Sequence, residues 1–172
     1  MLPKCMRSHA SFSDCGNYRW SLTRVLNGSE KELIFIGLNP SLGTSYKNDA
    51  TLRRLIRFTE EWGYGSLHVI NLFGKISIRP KGLRKCNDPV GSKNDLELVR
   101  NINIWSENNL FDLWVGWGIN GQFMNRNNLI LNIINKASFR RPYVVGLTKE
   151  GHPSHPLYFP EKSKLFPLPS IS

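Results

Sequence analysis

The sequence has 172 residues, of which 40% are hydrophobic and 21% charged, and these values exclude a wholly disordered chain and favour a single globular domain. Lysine and arginine number 23 against 13 aspartate and glutamate residues, so the net charge is +10. A charge of this size on a small domain predicts a polyanionic partner, with nucleic acid (DNA above all) expected first and a nucleotide second.

The first predicted elements are an arm and two strands. Residues 1–17 show no hydrophobic period and are expected to form a loose N-terminal arm. Residues 18–25 alternate bulky and polar side chains, which is typical of a half-buried edge strand. Residues 33–38 form a short apolar run, which predicts a buried central strand that stops at Asn39-Pro40-Ser41.

A helix and a second strand follow, and then a long loop. Asn48 or Asp49 can cap the free N–H groups at the start of the helix. The sequence Gly63-Tyr64-Gly65 is expected to end it. Residues 67–72 predict a second buried strand, and residues 73–91 predict a basic loop of a length that is often functional.

The remaining pattern alternates helices with strands. A helix is predicted from Ser92, as part of a capping box, to about Asn108, and it is followed by a strand over 113–117. A further helix is predicted over about 120–136, and a fourth strand over 143–147. Residues 159–172 are rich in proline and are expected to form an extended tail.

This alternation predicts a three-layer α/β/α fold with a mainly parallel central sheet of about four strands. The domain is expected to span residues 18–158, between the arm and the tail. Ligands of such sheets bind beyond the carboxyl ends of the strands. Polar and aromatic residues that follow strands are therefore expected around one cleft there, namely Asn39, Asn71, Trp117 and His152.

Several common sites are missing from the sequence. It has no G-x-x-x-x-G-K-[ST], G-x-G-x-x-G, G-x-S-x-G or H-E-x-x-H motif. Its three cysteines lack C-x-x-C spacing, and His152 and His155 could be metal ligands but have no clear third partner, so neither a metal nor a cofactor is expected. Since the N-terminus has no apolar signal segment and no run is long enough to span a membrane, we expect a cytoplasmic protein with reduced thiols.

The residues expected at the cleft suit a nucleobase. A side-chain amide such as that of Asn39 or Asn71 both donates and accepts hydrogen bonds, as the edge of a base does. Aromatic rings can stack on the base, and the candidates are Phe73, Tyr46 and Trp117. Basic residues around the cleft could hold phosphates, and these are Arg53, Arg57, Arg79, Lys81, Arg84 and Lys85. The alternatives are loop-capping asparagines and a solvated charge run.

Four segments resemble motifs of the uracil-DNA glycosylase superfamily, in the order that the superfamily has them: 37–42, 69–73, 115–122 and 151–157. The first, Gly-Leu-Asn-Pro-Ser-Leu, resembles the Asn form of the first catalytic motif, and the last contains His-Pro-Ser. The resemblance implies a uracil-DNA glycosylase-like fold, catalytic roles for Asn39 and for His152 or His155, and substrate contacts from Pro40, Ser41, Asn71 and Ser154.

A wider resemblance is to the bacterial and phage domain-of-unknown-function family 1643. It covers nearly the whole chain and rests on the segments 18–22, 49–54, 62–65, 88–91 and 146–149. This likeness implies a family and gives no substrate.

The sequence therefore predicts an enzyme, acting as a monomer, that cleaves an N-glycosidic bond in DNA or in a nucleotide. The alternatives are a non-catalytic binder of nucleic acid or of modified bases on the same fold, and an enzyme of free nucleosides or nucleotides. Asn39 has no carboxylate and can only orient a water molecule, so slow turnover is expected.

Overall fold

A computed structural model of the chain describes residues 8–26 and 28–169. Its centre is one sheet of seven strands in the order β1-β2-β4-β3-β5-β6-β7. The strands are β1 Ser8–Phe12, β2 Arg19–Val25, β3 Glu32–Gly37, β4 Ser66–Asn71, β5 Phe111–Val115, β6 Tyr143–Val144 and β7 Phe166–Pro167. The α-helices are α1 Ala50–Glu61, α2 Lys81–Arg84, α3 Asn94–Glu107 and α4 Arg126–Ala137.

The strand directions correct the predicted fold. Strands β4, β3, β5 and β6 are mutually parallel, but β1 with β2, β2 with β4, and β6 with β7 are antiparallel. The protein is an α/β protein with a mixed seven-stranded sheet, so the prediction of a mainly parallel four-stranded sheet in a three-layer fold is wrong. The error arose at the sheet edges, where β1 lacks a clear alternation and β7 is only two residues long.

The predicted arm and tail are also partly built into the sheet. Residues 8–12 of the arm form β1, which pairs with β2, so β2 is not the edge strand that was predicted. Residues 166–167 of the tail form β7, and the Trp62 indole N–H anchors the tail by donating to the Ser163 carbonyl at 3.0 Å. The rest of the predicted arm and tail, residues 1–7 and 170–172, lies outside the described residues.

Helix α1 covers one face of the sheet. It begins where predicted, because the Asp49 side chain accepts a hydrogen bond from the Leu52 N–H at 2.8 Å. Its buried apolar residues and the strand side chains that face them form one core cluster, which includes Leu52, Leu55, Ile56, Phe35, Val69 and Trp114. Gly63, with φ of +77°, follows its C-terminal end.

Helices α3 and α4 cover the other face, and both differ from their predicted starts. Helix α3 begins at Asn94 without a side-chain cap, two residues after the Ser92 cap that the sequence suggested. The helix predicted from residue 120 divides into a 3₁₀ segment, Ile119–Asn125, and α4, because Met124 and Asn125 have positive φ values of 53° and 55°. The predicted long loop contains α2. None of the helices in the described part of the chain has the length and apolarity that a membrane crossing requires.

Candidate functional site

A cavity of about 380 Å³ opens where the parallel strands β3, β4 and β5 end. The register places Gly37 of β3 beside Asn71 of β4, and the Gly116 N–H after β5 donates to the Ile36 carbonyl at 2.9 Å. Residues at the start of α1 also line the cavity, together with Ser154, His155, Leu157 and Tyr158. The cavity lies where ligands of parallel strands usually bind, and its size is within the range of small-molecule sites.

Six of the predicted site residues line this cavity. They come from four separate chain segments, as expected for side chains at the ends of adjacent strands. The six are Asn39, Ser41, Asn71, Trp117, Ser154 and His155. The cleft predicted around Asn39, Asn71 and Trp117 is therefore present, with His155 in its wall where His152 was expected.

The ring of Phe35 forms part of the cavity wall and is held in place by its neighbours. It packs edge-on against Trp114, with ring centroids 4.7 Å apart, and is 2% exposed. A Cβ on Gly37 would lie 2.9 Å from this ring, and one on Gly116 would lie 2.8 Å from it. The two glycines therefore leave room beside the ring that any other residue would fill.

Asn71 lies at the same end of the sheet and is 4% exposed. Its Nδ2 is buried without a hydrogen-bond partner, while its backbone carbonyl accepts from the Asn94 amide at 3.0 Å. A Cβ on Gly37 would lie 2.8 Å from Asn71 Oδ1, so the absence of a side chain at Gly37 also accommodates this amide. A buried donor without an acceptor costs free energy, which makes Asn71 a candidate for contact with a ligand.

Asn39 is held in a fixed orientation at the cavity wall. Its Nδ2 donates to the Ser77 carbonyl at 2.7 Å and to the Pro40 carbonyl at 2.9 Å. Both amide hydrogens are thereby used, so Oδ1 is the atom left to accept a hydrogen bond from a ligand or a water molecule. Pro40 itself is buried and does not line the cavity.

The His-Pro-Ser-His segment is fixed by backbone hydrogen bonds from two sides. The Gly118 N–H donates to the Pro153 carbonyl at 2.7 Å, and the Ser154 N–H donates to the Gly146 carbonyl at 2.9 Å. This places His155 in the cavity wall, whereas His152 lies outside the cavity and contacts the Gln122 amide.

The environment of His155 favours a neutral imidazole with a defined tautomer. Burial lowers its pKa below the ordinary 6.5, and the nearby Asp49 carboxylate opposes this effect. Nδ1 accepts a hydrogen bond from the Leu157 N–H at 3.3 Å, so the proton of the neutral ring is assigned to Nε2. His155 can thus present a neutral N–H donor.

Asp49 is a carboxylate of the cavity wall that the sequence assigned only to helix capping. One carboxylate oxygen accepts from the Leu52 N–H, and the other accepts from the Ser41 hydroxyl at 2.8 Å and the Gly43 N–H at 3.1 Å. Both oxygens are therefore occupied by the loop and the helix start, which leaves Asp49 poorly placed to take a proton from water.

Two predicted stacking residues do not reach the cavity. Phe73 is fully buried in the core on the α3–α4 face, where its ring lies 5.5 Å from that of Phe123. Tyr46 is 96% exposed and outside the cavity lining. Phe35 occupies the expected position instead. The signal for it was available, since alternation along a strand places Phe35 on the same face as Gly37.

The six predicted phosphate ligands have different surroundings. Arg57 forms an ion pair with Glu161 at 2.7 Å, and Arg53 donates to the Asn48 carbonyl at 2.7 Å. Arg84 lies over the ring of Phe123 at 4.9 Å. The other three, Arg79, Lys81 and Lys85, line a shallow depression that shares Ser77 and Ile78 with the cavity. These three therefore lie beside the part of the cavity wall formed by Ser77 and Ile78, which we call its mouth.

Residues 8–26 and 28–169 contain no group of three or more His, Cys, Asp or Glu side chains that could hold a metal ion. In comparisons with known proteins, a family model described as a protein of unknown function (DUF1643) matches residues 19–157. Neither a curated protein nor a solved structure matches the chain. The family match includes the residues of the cavity wall from Arg19 to Leu157.

Proposed function

The chain belongs to the DUF1643 family of proteins of unknown function, and from its cavity we propose that it binds a nucleobase and cleaves the N-glycosidic bond of that base. The observation on which this depends is the buried, unpartnered Nδ2 of Asn71, a residue that lines the same cavity as Phe35. An amide can form hydrogen bonds with the edge of a base, and a flat apolar ring can pack against its face. The resemblance of the four motifs to those of uracil-DNA glycosylases supports the same proposal.

The two remaining groups have complementary chemistry for the cleavage. A water oxygen bonds to C1′ of the sugar while the C1′–N bond breaks, and the electron pair of that bond leaves with the base. The proton that the water loses passes to solvent, and the anionic base takes up a proton from solvent. The state in between has positive charge on the sugar and negative charge on the base. Asn39 Oδ1 is assigned to orienting the water, and the Nε2–H of His155 is assigned to a carbonyl oxygen of the leaving base.

A second candidate is a binding module without catalysis, and the state of Asp49 favours it. The carboxylate of the cavity has both oxygens engaged, so the site offers no free strong base. Such a protein would recognise a base, or a modified base, and leave its bond intact. Binding of an oligonucleotide by the wild-type protein without release of any base would identify this function.

Base release from defined oligonucleotides tests the proposal. Single-stranded, mismatched and modified substrates are incubated with the purified protein, and the free base is measured by chromatography. We expect release of at least one base. Removal of one transition-state hydrogen-bond donor usually costs about 100- to 1000-fold in rate, so His155→Ala is expected to lower the rate by that factor. His152→Ala is the matched control and is expected to keep most of the activity, because His152 lies outside the cavity.

Base recognition is tested separately by Asn71→Asp and Gly37→Ala. The first replaces two donors by acceptors and is expected to change which base binds. The second adds a methyl group that would lie within 2.9 Å of both Asn71 Oδ1 and the Phe35 ring, and it is expected to abolish binding. Asn132→Asp, at an exposed position of α4, controls for the added charge. Unchanged binding in both cavity variants would refute base recognition in this cavity.

A further inference from the structure

Arg19 is a buried cation of the cavity wall whose donors are not all used. It is 5% exposed, and it lines the cavity together with Asn71. Its Nη1 donates to the Gly43 carbonyl at 2.8 Å, while its Nε is buried without an acceptor. None of the ion pairs found among the described residues includes Arg19.

Arg24 on the same strand shows how a structural arginine is satisfied. It is 1% exposed, and its Nε and Nη2 both donate to Asn48 Oδ1, at 3.1 and 2.9 Å. Further donors reach the Thr23 carbonyl at 3.2 Å and the Thr44 carbonyl at 2.5 Å. Arg24 is also outside the cavity lining. The two arginines therefore lie on the same strand and are similarly buried. They differ in how many of their N–H donors have an acceptor and in whether they line the cavity.

The local charge is not balanced. Arg19 and Arg24 repel each other, and Asp49 is the carboxylate that acts on both. Burial lowers the pKa of Arg19 to about 10, so it remains a cation at neutral pH. An unpaired buried charge is expensive, and a fold that keeps one gains most from a ligand of opposite charge.

A break in the strand register lies at Arg19. Ser11 pairs with Ser21, but Phe12 pairs with Arg19, so Trp20 is the extra residue of a β-bulge. Bulges often redirect a side chain beside a functional site. The bulge at the start of β2 therefore lies next to Arg19, whose charged side chain is part of the cavity wall. Regular alternation of side chains along the strand would not have indicated this position.

We propose that Arg19 is an anion subsite of the cavity that binds a phosphate group of a nucleotide whose base contacts Asn71 and Phe35. This rests on the proposed recognition of a base and goes beyond it, since it makes a nucleotide rather than a nucleoside or free base the ligand. The guanidinium is planar and offers paired N–H donors, which match phosphate oxygens. The phosphate can come from a free nucleotide or from a nucleic-acid strand.

The test compares each of the five common nucleosides with its 5′- and 3′-monophosphates by isothermal titration calorimetry, along with a single-stranded oligonucleotide of the base that binds. We expect a monophosphate or the oligonucleotide to bind about 10- to 100-fold more tightly than the nucleoside. Arg19→Met is expected to remove this difference and to leave nucleoside affinity unchanged. Arg24→Met is the matched control and is expected to keep it. An Arg19-dependent gain with monophosphates identifies free nucleotides as the source, and a gain with the oligonucleotide alone identifies nucleic acid.

The melting temperature separates a ligand site from a structural role. Arg19→Met removes a buried charge that has no ion-pair partner, together with one hydrogen bond to the Gly43 carbonyl, and is expected to melt near the wild-type temperature. Arg24→Met removes four hydrogen bonds and is expected to melt lower. If Arg19→Met does not fold, Arg19→Lys keeps the charge without the planar fork and is expected to reduce the phosphate preference.

The outcomes also separate this inference from the proposed function. Nucleoside binding with no Arg19-dependent gain from phosphate would overturn the subsite and leave base recognition intact. If no nucleoside or nucleotide binds, base recognition fails, and inorganic phosphate at constant ionic strength tests Arg19 alone. A rise in melting temperature for the wild type and none for Arg19→Met would then still support the subsite, and no rise would overturn it.

Discussion

Asn71, which we propose contacts the base, has a buried side-chain amide that is expected to lower the stability of the protein. Its Nδ2 is buried without a partner, and such a group costs about 1–3 kcal/mol. Leucine has nearly the same shape and no polar atoms. We therefore expect Asn71→Leu to leave the free energy of unfolding unchanged or to raise it, while ligand binding is lost. Urea unfolding followed by fluorescence measures the first effect.

Asn94 provides the contrast, because it is just as buried and its Oδ1 lacks a partner, but its Nδ2 is fully used. Its Nδ2 donates to the carbonyls of Asn71 and Leu72, both at 3.0 Å. Asn94→Leu takes its donor from the Asn71 carbonyl, while the Leu72 carbonyl keeps two donors of Arg126, at 2.8 and 3.1 Å. The substitution is expected to cost about 1–3 kcal/mol. A loss of the same size in Asn71→Leu would show that the Asn71 amide has a structural role.

His155 is the residue for which stability is expected to depend on pH. Burial lowers its pKa in the folded protein below the ordinary 6.5, so the unfolded chain binds the proton first as pH falls. Its contribution to stability is therefore present above pH 6.5 and is lost as pH falls below that value. We expect the free energy of unfolding to decrease between pH 7.5 and 5.5 by more in the wild type than in His155→Gln.

The same substitution at an exposed position controls for the loss of an imidazole. His9→Gln changes an exposed side chain of β1 and is expected to keep the wild-type dependence on pH. Equal dependence in the wild type and in His155→Gln would contradict the effect of burial on His155, and with it the neutral donor assigned to the cavity.

At the level of elements, the two predicted caps give a direct comparison. Asp49 accepts hydrogen bonds from the Leu52 and Gly43 N–H groups and from the Ser41 hydroxyl, whereas Ser92 is exposed and α3 starts two residues beyond it. Asp49→Ala is therefore expected to lower the free energy of unfolding by about 1–2 kcal/mol. Ser92→Ala is expected to change it by less than about 0.5 kcal/mol. Thermal and urea unfolding of both variants test this, and similar losses would contradict it.

The elements that were predictable from sequence are those with a strong local signal. A carboxylate before an apolar stripe marked α1, and short apolar runs marked β3, β4 and β5. Strand β1 was not predicted from the sequence because its side chains are mostly half-buried and show no clear alternation. The break before α4 depends on positive φ values at Met124 and Asn125. Asparagine tolerates such a φ but methionine does not favour it, so the residue types indicated the break only weakly.

At the scale of the molecule, the position of the site was more predictable than its members. Strand ends identified Asn39, Asn71 and Trp117, because parallel strands finish at one edge. Alternation along β3 places Phe35 on the same face as Gly37, but which face of the sheet carries the cavity is decided by packing between distant segments. Arg19 became a wall residue through pairing of β2 with β1 and β4, which no local pattern in residues 18–25 encodes.

The charge of the whole molecule leads to a prediction about salt. If DNA binds at the cavity, then Arg79, Lys81 and Lys85 are the basic residues that border its mouth and are placed to meet the strand. The logarithm of affinity for duplex DNA falls with the logarithm of salt concentration, with a slope of roughly −0.9 per phosphate neutralised. Replacing all three residues by glutamine is therefore expected to reduce the steepness of that slope by about 3. Fluorescence anisotropy at a series of salt concentrations measures the slope.

The control for this variant must lose the same charge elsewhere on the surface. Arg141, Lys162 and Lys164 are exposed and lie outside the cavity lining and the depression beside it. A triple glutamine variant at these positions lowers the net charge equally, so general attraction between a basic protein and DNA would weaken by the same amount in both. We expect the control to keep the wild-type slope, because only residues in contact with phosphates displace counterions from DNA. Equal changes in the two variants would show that the net charge, and not the mouth of the cavity, determines how the protein meets DNA.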